Sequence, residues 1–164
     1  MQVLWAPWRM AYVGAARSDA GCIFCAALAG DRRERLVLAR TAASVVMLNR
    51  FPYQHGHLMV APRRHTAALP DLPAEEHADL AETLRRALRV LEERLRPQGF
   101  NLGMNLGACA GAGVVDHLHW HVVPRWAGDT NFMPTLAEAR VMPQHLAETY
   151  ERLAPAFGPL DAGT

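Results

Sequence analysis

Apolar and polar positions divide the chain into short strand-like runs around one long helical pattern. Residues 35–41 (RLVLART) and 44–49 (SVVMLN) are apolar runs separated by a short turn, which predicts a hairpin. Residues 51–56 hold Pro52 and Gly56 and predict a loop. Residues 57–61 (HLMVA) form an apolar run of strand length, stopped by Pro62. Leu80, Leu84, Leu88, Leu91 and Leu95 then recur at helical spacing and make one apolar stripe. Pro73 suits the first turn of that helix, Glu75 and Glu76 suit its positive end, and Pro97 terminates it. His77 falls on the helix as a surface residue. Residues 100–105 predict a strand, and 107–116 a Gly/Ala-rich loop carrying Cys109. Residues 117–124 (HLHWHVVP) alternate strictly and predict another strand. Strands on both sides of a single long helix predict an α+β fold, a mostly antiparallel sheet with the helix packed on one face. Residues 1–21, with Trp5, Trp8 and Tyr12, read as an irregular arm. Residues 133–164, with Pro134, Pro143, Pro155 and Pro159, read as a wrapping tail with one short helix over about 144–153.

A length of 164 residues predicts one domain spanning 1–164 with a core over about 22–132. Hydrophobic residues at 51% and charged residues at 20% are ordinary globular usage and argue against a disordered chain. No apolar run approaches the ~20 residues of a membrane span. The start, MQVLWAPWRMAYV, lacks a basic patch followed by an apolar stretch, so the expected compartment is the cytoplasm. A net charge of +1 gives no bulk field toward nucleic acid or anionic lipid, so neither is expected as a partner. All 17 Lys+Arg cations are arginine. Schiff-base chemistry, a lysine general base and a Walker-type lysine are therefore excluded.

His117, His119 and His121 stand at i, i+2, i+4, which on a strand places three imidazoles on one face, with Leu118, Trp120 and Val122 facing the core. Buried imidazoles are costly unless hydrogen-bonded or ligating. Two chemistries fit. His-x-His is a common metal-ligand pair, and neutral imidazole is a nucleophile toward phosphorus near pH 7. The adjacent glycine-rich loop supplies backbone N–H groups that cradle phosphate without lysine. Cys22 and Cys25 form a Cys-x-x-Cys pair, open to metal binding or redox chemistry; a structural disulfide is not expected in a reducing compartment.

The segment His117-Leu118-His119-Trp120-His121-Val122-Val123, followed by Pro124-Arg125, resembles the motif of the histidine triad (HIT) family. Leu48-Asn49-Arg50, then Gly56-His57-Leu58-Met59-Val60, resembles its ribose-binding segment and first strand. The flanks Leu4-Trp5-Ala6-Pro7-Trp8-Arg9, the Cys pair, and Arg125-Trp126 through Asp129-Thr130-Asn131-Phe132-Met133 look like the bacterial branch akin to diadenosine tetraphosphate phosphorylases.

The resemblance implies a nucleotidyl hydrolase or transferase acting on dinucleoside polyphosphates. His119 would attack the α-phosphate and carry the nucleotide, and His121 would bond the phosphate oxygens. Asn49 would bind ribose, His57 would order the His119 pocket, and Asn105 would contact phosphate or leaving group. Backbone amides of Gly113, Val114 and Val115 would hold the α-phosphate. Many family members carry Gln where Gly113 stands, an amide that can orient water; its absence points to inorganic phosphate as acceptor, with Arg125 as a further cation. The resemblance also implies a structural zinc on Cys22, Cys25, His65 and His117, and a homodimer; a reduced thiol pair packed as small apolar groups is the alternative to zinc. The rival readings are an adenosine 5′-monophosphoramidase or nucleotide hydrolase, and a non-catalytic nucleotide-binding regulator.

Overall fold

The computed structural model describes residues 21–129 and 144–158. The expected arm over 1–20, most of the 129–133 flank, and Pro134, Pro143 and Pro159 of the tail lie outside the described residues. Five strands form one sheet in the order β1-β2-β3-β5-β4: β1 (Val37–Arg40), β2 (Ser44–Leu48), β3 (Leu58–Pro62), β4 (Gly99–Met104) and β5 (Trp120–Arg125). All four pairings are antiparallel, as expected of the α+β class. Among the described residues three α-helices accompany them: α1 (Ile23–Ala29), α2 (Ala74–Leu95) and α3 (Leu146–Leu153).

The two faces of the sheet bury different clusters. Leu38, Val46, Leu48, Leu58, Val60, Leu118 and Val122 point toward α2 and α3, where Leu80, Leu91, Leu153 and Phe157 meet them. Val37, Val45, Met47, Met59 and Ala61 point the other way, onto Phe24 and Ala27 of α1. This period-two division makes β2 and β3 buried on both faces, so they read as continuous apolar runs.

Four expectations need correction in detail. The long helix turns Thr83, Ala87 and Val90 inward with Leu80, Leu91 and Leu95, which moves Leu84 and Leu88 to its half-buried rim. Small residues at 83 and 87 let the helix approach the sheet closely. Pro73 precedes the helix as its cap, and Arg96, in the left-handed region at φ 51°, ends it before Pro97. Pro62 is the last paired residue of β3 rather than its stop, opposite Ser44. The histidine segment is only partly strand: His117 and His119 lie in an extended lead-in, and β5 begins at Trp120. Pro62 has no N–H to extend that ladder, and Leu118 instead donates its N–H to the Thr66 carbonyl at 2.8 Å. Alternation survives without the ladder, because Leu118 and Val122 still enter the α2 side. α1 had no periodic signal, since its seven residues hold only two that are fully buried, Phe24 and Ala27.

Candidate active site and metal centre

Backbone geometry delivers four histidines to the α1 face of the sheet. Met59 on β3 pairs with His121 on β5, which brings His57, at the entrance to β3, against the His121 ring. The turn before β3 is closed by Asn49 N–H to His57 O and His57 N–H to Gln54 O, both 3.0 Å. Gly56 sits in it at φ 74°, a conformation that favours glycine.

Hydrogen bonds fix each tautomer, because a backbone carbonyl only accepts and a backbone N–H only donates. The Tyr53 N–H donates to His57 Nδ1 at 3.0 Å. His57 therefore carries its proton on Nε2 and donates to His121 Nδ1 at 3.0 Å. His121 in turn keeps its proton on Nε2. His119 Nδ1–H donates to the His117 carbonyl at 2.9 Å, which leaves Nε2 as a lone pair. The His119 and His121 rings meet edge-on with centroids 4.8 Å apart. A bare nitrogen thus stands beside an N–H donor, the pair a phosphoryl group needs for attack and for charge stabilisation. His57 bonds His121, whose ring meets His119, so it reaches the His119 pocket through the donor.

Burial keeps the triad neutral. It pushes His121 down to about 4, helped by the nearby His119. Burial also lowers His119, opposed by the bond to the His117 carbonyl. His117 is lowered chiefly by burial, against the bond to Pro62.

His117 faces a second constellation. Its Nε2–H donates to the Pro62 carbonyl at 2.8 Å, so Nδ1 is the lone pair that faces the cysteines. Nδ1 lies 3.2 Å from Cys22 Sγ and 3.7 Å from Cys25 Sγ, and His65 Nδ1 lies 3.3 Å from Cys25 Sγ. The four ligand atoms of Cys22, Cys25, His65 and His117 all fall within 4.8 Å of one another. A tetrahedral zinc with two sulfurs and two nitrogens would separate them by roughly 3.3–3.8 Å, so the donor set fits that metal in chemistry, and the separations of 3.2, 3.3 and 3.7 Å stand near that spacing. α1 begins directly after Cys22 and carries Cys25 one turn on, which brings the two thiols to this cluster.

The remaining predicted residues surround the triad with varied exposure. Asn49 is buried, with its Oδ1 accepting the Phe51 N–H at 2.9 Å and its Nδ2 3.5 Å from His57 Nδ1. Asn105 donates to the Gly111 carbonyl at 3.4 Å. In the loop, Val114 packs on the α1 cluster and Val115 is exposed. Gly107 and Gly111 take positive φ there, and Gly113 does not. Arg125 is not available as the further cation. Asp129 holds it through two bonds of 2.6 and 2.9 Å, and Asn101 accepts a third at 2.6 Å.

Two aromatics were missed. Tyr53 stacks on His57 with centroids 4.7 Å apart, and Phe24 lies 5.0 Å from His117 and 4.8 Å from His119. Their nearness in sequence to His57 and to the cysteines was the available signal.

The HIT domain model matches residues 32–128. The chain belongs to the HIT family. An AP-4-A phosphorylase of Mycobacterium tuberculosis is 41% identical over 162 residues, covering 94% of this chain and 83% of that protein. An adenosine 5′-monophosphoramidase of Schizosaccharomyces pombe is 33% identical over 104 residues, covering 63% of this chain and 74% of that one. Among solved structures, a zinc-bound histidine triad family protein from Mycobacterium smegmatis superposes with a TM-score of 0.66 at 30% identity, covering 85% of this chain and 95% of that one. This HIT protein is an enzyme of the nucleotide hydrolase and transferase class. Among the described residues no helix is long and apolar enough to cross a membrane.

Proposed function

We propose that this HIT protein splits dinucleoside polyphosphates by phosphorolysis, through a nucleotide carried on His119. The observation that carries the reading is the tautomer pair, a bare His119 Nε2 beside a protonated His121 Nε2. In the first step His119 Nε2 forms a bond to the α-phosphorus. The bridging P–O bond breaks, and its electron pair leaves with the rest of the polyphosphate. His119 becomes an imidazolium, and its Nδ1–H charge is met by the His117 carbonyl. His121 Nε2–H and the amides of Gly113, Val114 and Val115 hold the phosphoryl oxygens, as preorganised donors. Asn49 takes the ribose, with His57 as the positioning residue behind His121. In the second step an acceptor oxygen attacks phosphorus, the P–N bond breaks, and neutral His119 returns.

Phosphate as acceptor is supported by Gly113, where no side-chain amide holds water, and by the 94% coverage of the phosphorylase relative. The phosphoramidase reading draws on a relative covering 63% of the chain. Zinc on Cys22, Cys25, His65 and His117 would clamp α1 and the β3 exit to the triad; a four-ligand site leaves no open position for chemistry. We take the whole chain as one HIT domain, working in the cytoplasm, where both thiols stay reduced. A homodimer is supported by β4, an edge strand with Leu102 exposed at its centre; edge-to-edge pairing satisfies its backbone and leaves both sheet faces open.

Product analysis with diadenosine tetraphosphate tests the reading. In phosphate buffer the wild type yields adenosine diphosphate and adenosine triphosphate, and Gly113→Gln moves the product toward the monophosphate. The φ at 113 is not in the positive region that strains a residue with a side chain. Adenosine monophosphate beside the triphosphate, with no diphosphate, from the wild type at high phosphate would leave a hydrolase in place of a phosphorylase.

A further inference from the structure

Beyond His121 the α1 face of the sheet is not covered by α1, and a groove of about 230 Å³ opens across β4 and β5. Its walls and floor include Tyr53, Asn101, Gly103, Asn105, His121 and Val123. We infer that this groove is the subsite for the second, departing nucleoside of a dinucleoside polyphosphate, an assignment that rests on the proposed function above.

Register places the groove on the leaving side. Gly103 stands opposite His121, and Asn101 stands opposite Val123. Residues 119, 121 and 123 share one face, so Val123 lies on the far side of His121 from the nucleophile. From 119 to 123 is roughly 13 Å along extended backbone, a distance a polyphosphate spans and a single phosphate does not. No charged side chain is among the groove's described lining residues. The groove suits a neutral, flat, polar ring. Gly103 leaves the floor bare, with nothing within 4 Å of where a Cβ would stand. Tyr53 gives an aromatic wall, stacked on His57 on one side and 39% exposed. Base-on-aromatic contact and side-chain amides are the usual means of holding a purine. The amides are set for it. Asn101 Oδ1 accepts from Arg125, which directs its Nδ2 to donate, and Asn105 Nδ2 donates to Gly111, which leaves its Oδ1 to accept.

The test fills the floor with Gly103→Val, which suits an edge strand and meets open space. Binding is measured in a His119→Gly background, with diadenosine tetraphosphate and adenosine 5′-tetraphosphate, which lacks only the second nucleoside. The groove predicts about tenfold tighter binding of the dinucleotide, and loss of that advantage with Gly103→Val. An equal affinity for the two compounds, or an advantage that survives Gly103→Val, overturns the subsite. In the active protein Gly103→Val lowers kcat/KM for the dinucleotide about tenfold and leaves adenosine 5′-monophosphoramidate, whose leaving group is ammonia, within about twofold. Equal losses on both substrates also overturn it. A wild type that turns over neither substrate sinks the proposed function instead, while the binding comparison still decides the groove.

Discussion

Gly56→Ala is the substitution whose cost can be worked most directly from the structure. Gly56 has φ 74°, and an added Cβ would lie 2.4 Å from Leu95 Cδ1 and 3.4 Å from Pro124 Cγ. The left-handed conformation costs an L-residue about 1–2 kcal/mol. The overlap adds about 1–3 kcal/mol, because Leu95 is buried against the sheet and has little room to turn. A stiffer unfolded chain returns about 0.4–1 kcal/mol. The net loss is about 2–4 kcal/mol, a large part of the ~5–15 kcal/mol that holds an ordinary domain. Urea unfolding followed by tryptophan fluorescence reads it as a midpoint lower by about 1–2 M. Leu95→Ala separates the two causes. If overlap contributes, the double variant loses less than the two single variants together. A loss under about 0.5 kcal/mol, or strict additivity with Leu95→Ala, would refute the packing argument.

His119→Gly removes the attacking nitrogen, so dinucleotide turnover falls on the order of 10⁴-fold while nucleotide binding by calorimetry persists. His121→Ala removes one oxyanion donor and costs about 10²–10³-fold in kcat, the smaller loss of the two. Purified protein should hold about one zinc per chain by elemental analysis, and Cys22→Ser with Cys25→Ser should lose it and melt at lower temperature; stoichiometric metal in that double variant would place the site elsewhere. Acid should destabilise the fold through His121. Its folded pKa of about 4 lies below the unfolded 6.5, so the unfolded chain binds more protons as pH falls through that window. The stability is complete above pH 6.5 and falls toward pH 4, by about 1–2 kcal/mol once solvent screening of this half-buried ring is allowed for. His121→Gln should flatten the urea midpoint measured between those two pH values.

The pattern of the chain revealed the sheet and α2 because strand and helix leave different apolar periods. β2 and β3 kept their boundaries within a residue, since both faces are buried and every position votes alike. α1 stayed invisible because a seven-residue helix is set by tertiary contacts, here Phe24 under the histidines, and not by its own periodicity. The four-ligand constellation was reached through family resemblance; the spacing of Cys22 and Cys25 alone could not name His65 and His117, which are distant in sequence. The bonding partner of His57 was not legible for a related reason. Its partner depends on strand register, Met59 opposite His121, and register is not written in a single strand's composition. Arg125 shows the same limit, since only the turn to Asp129 reveals that its charge is already met.

A chain without lysine has to manage phosphate with neutral donors, and the geometry shows how. Three of the four histidines take their tautomer from a backbone group, His57 from the Tyr53 N–H, His119 from the His117 carbonyl and His117 from the Pro62 carbonyl, and His121 takes its own from His57. Backbone groups do not titrate, so the arrangement of lone pair and donor holds as long as the rings stay neutral, which burial ensures for all three members of the triad. His117 is the joint between the two halves of the site. Its Nδ1 faces the cysteines, and its carbonyl holds the nucleophile's Nδ1–H. When His119 bonds to phosphorus, positive charge appears on that same Nδ1–H, and a neutral hydrogen bond becomes a charge-assisted one, roughly twice as strong. The interaction is therefore stronger in the covalent state than in the free enzyme, which is the direction that lowers the barrier.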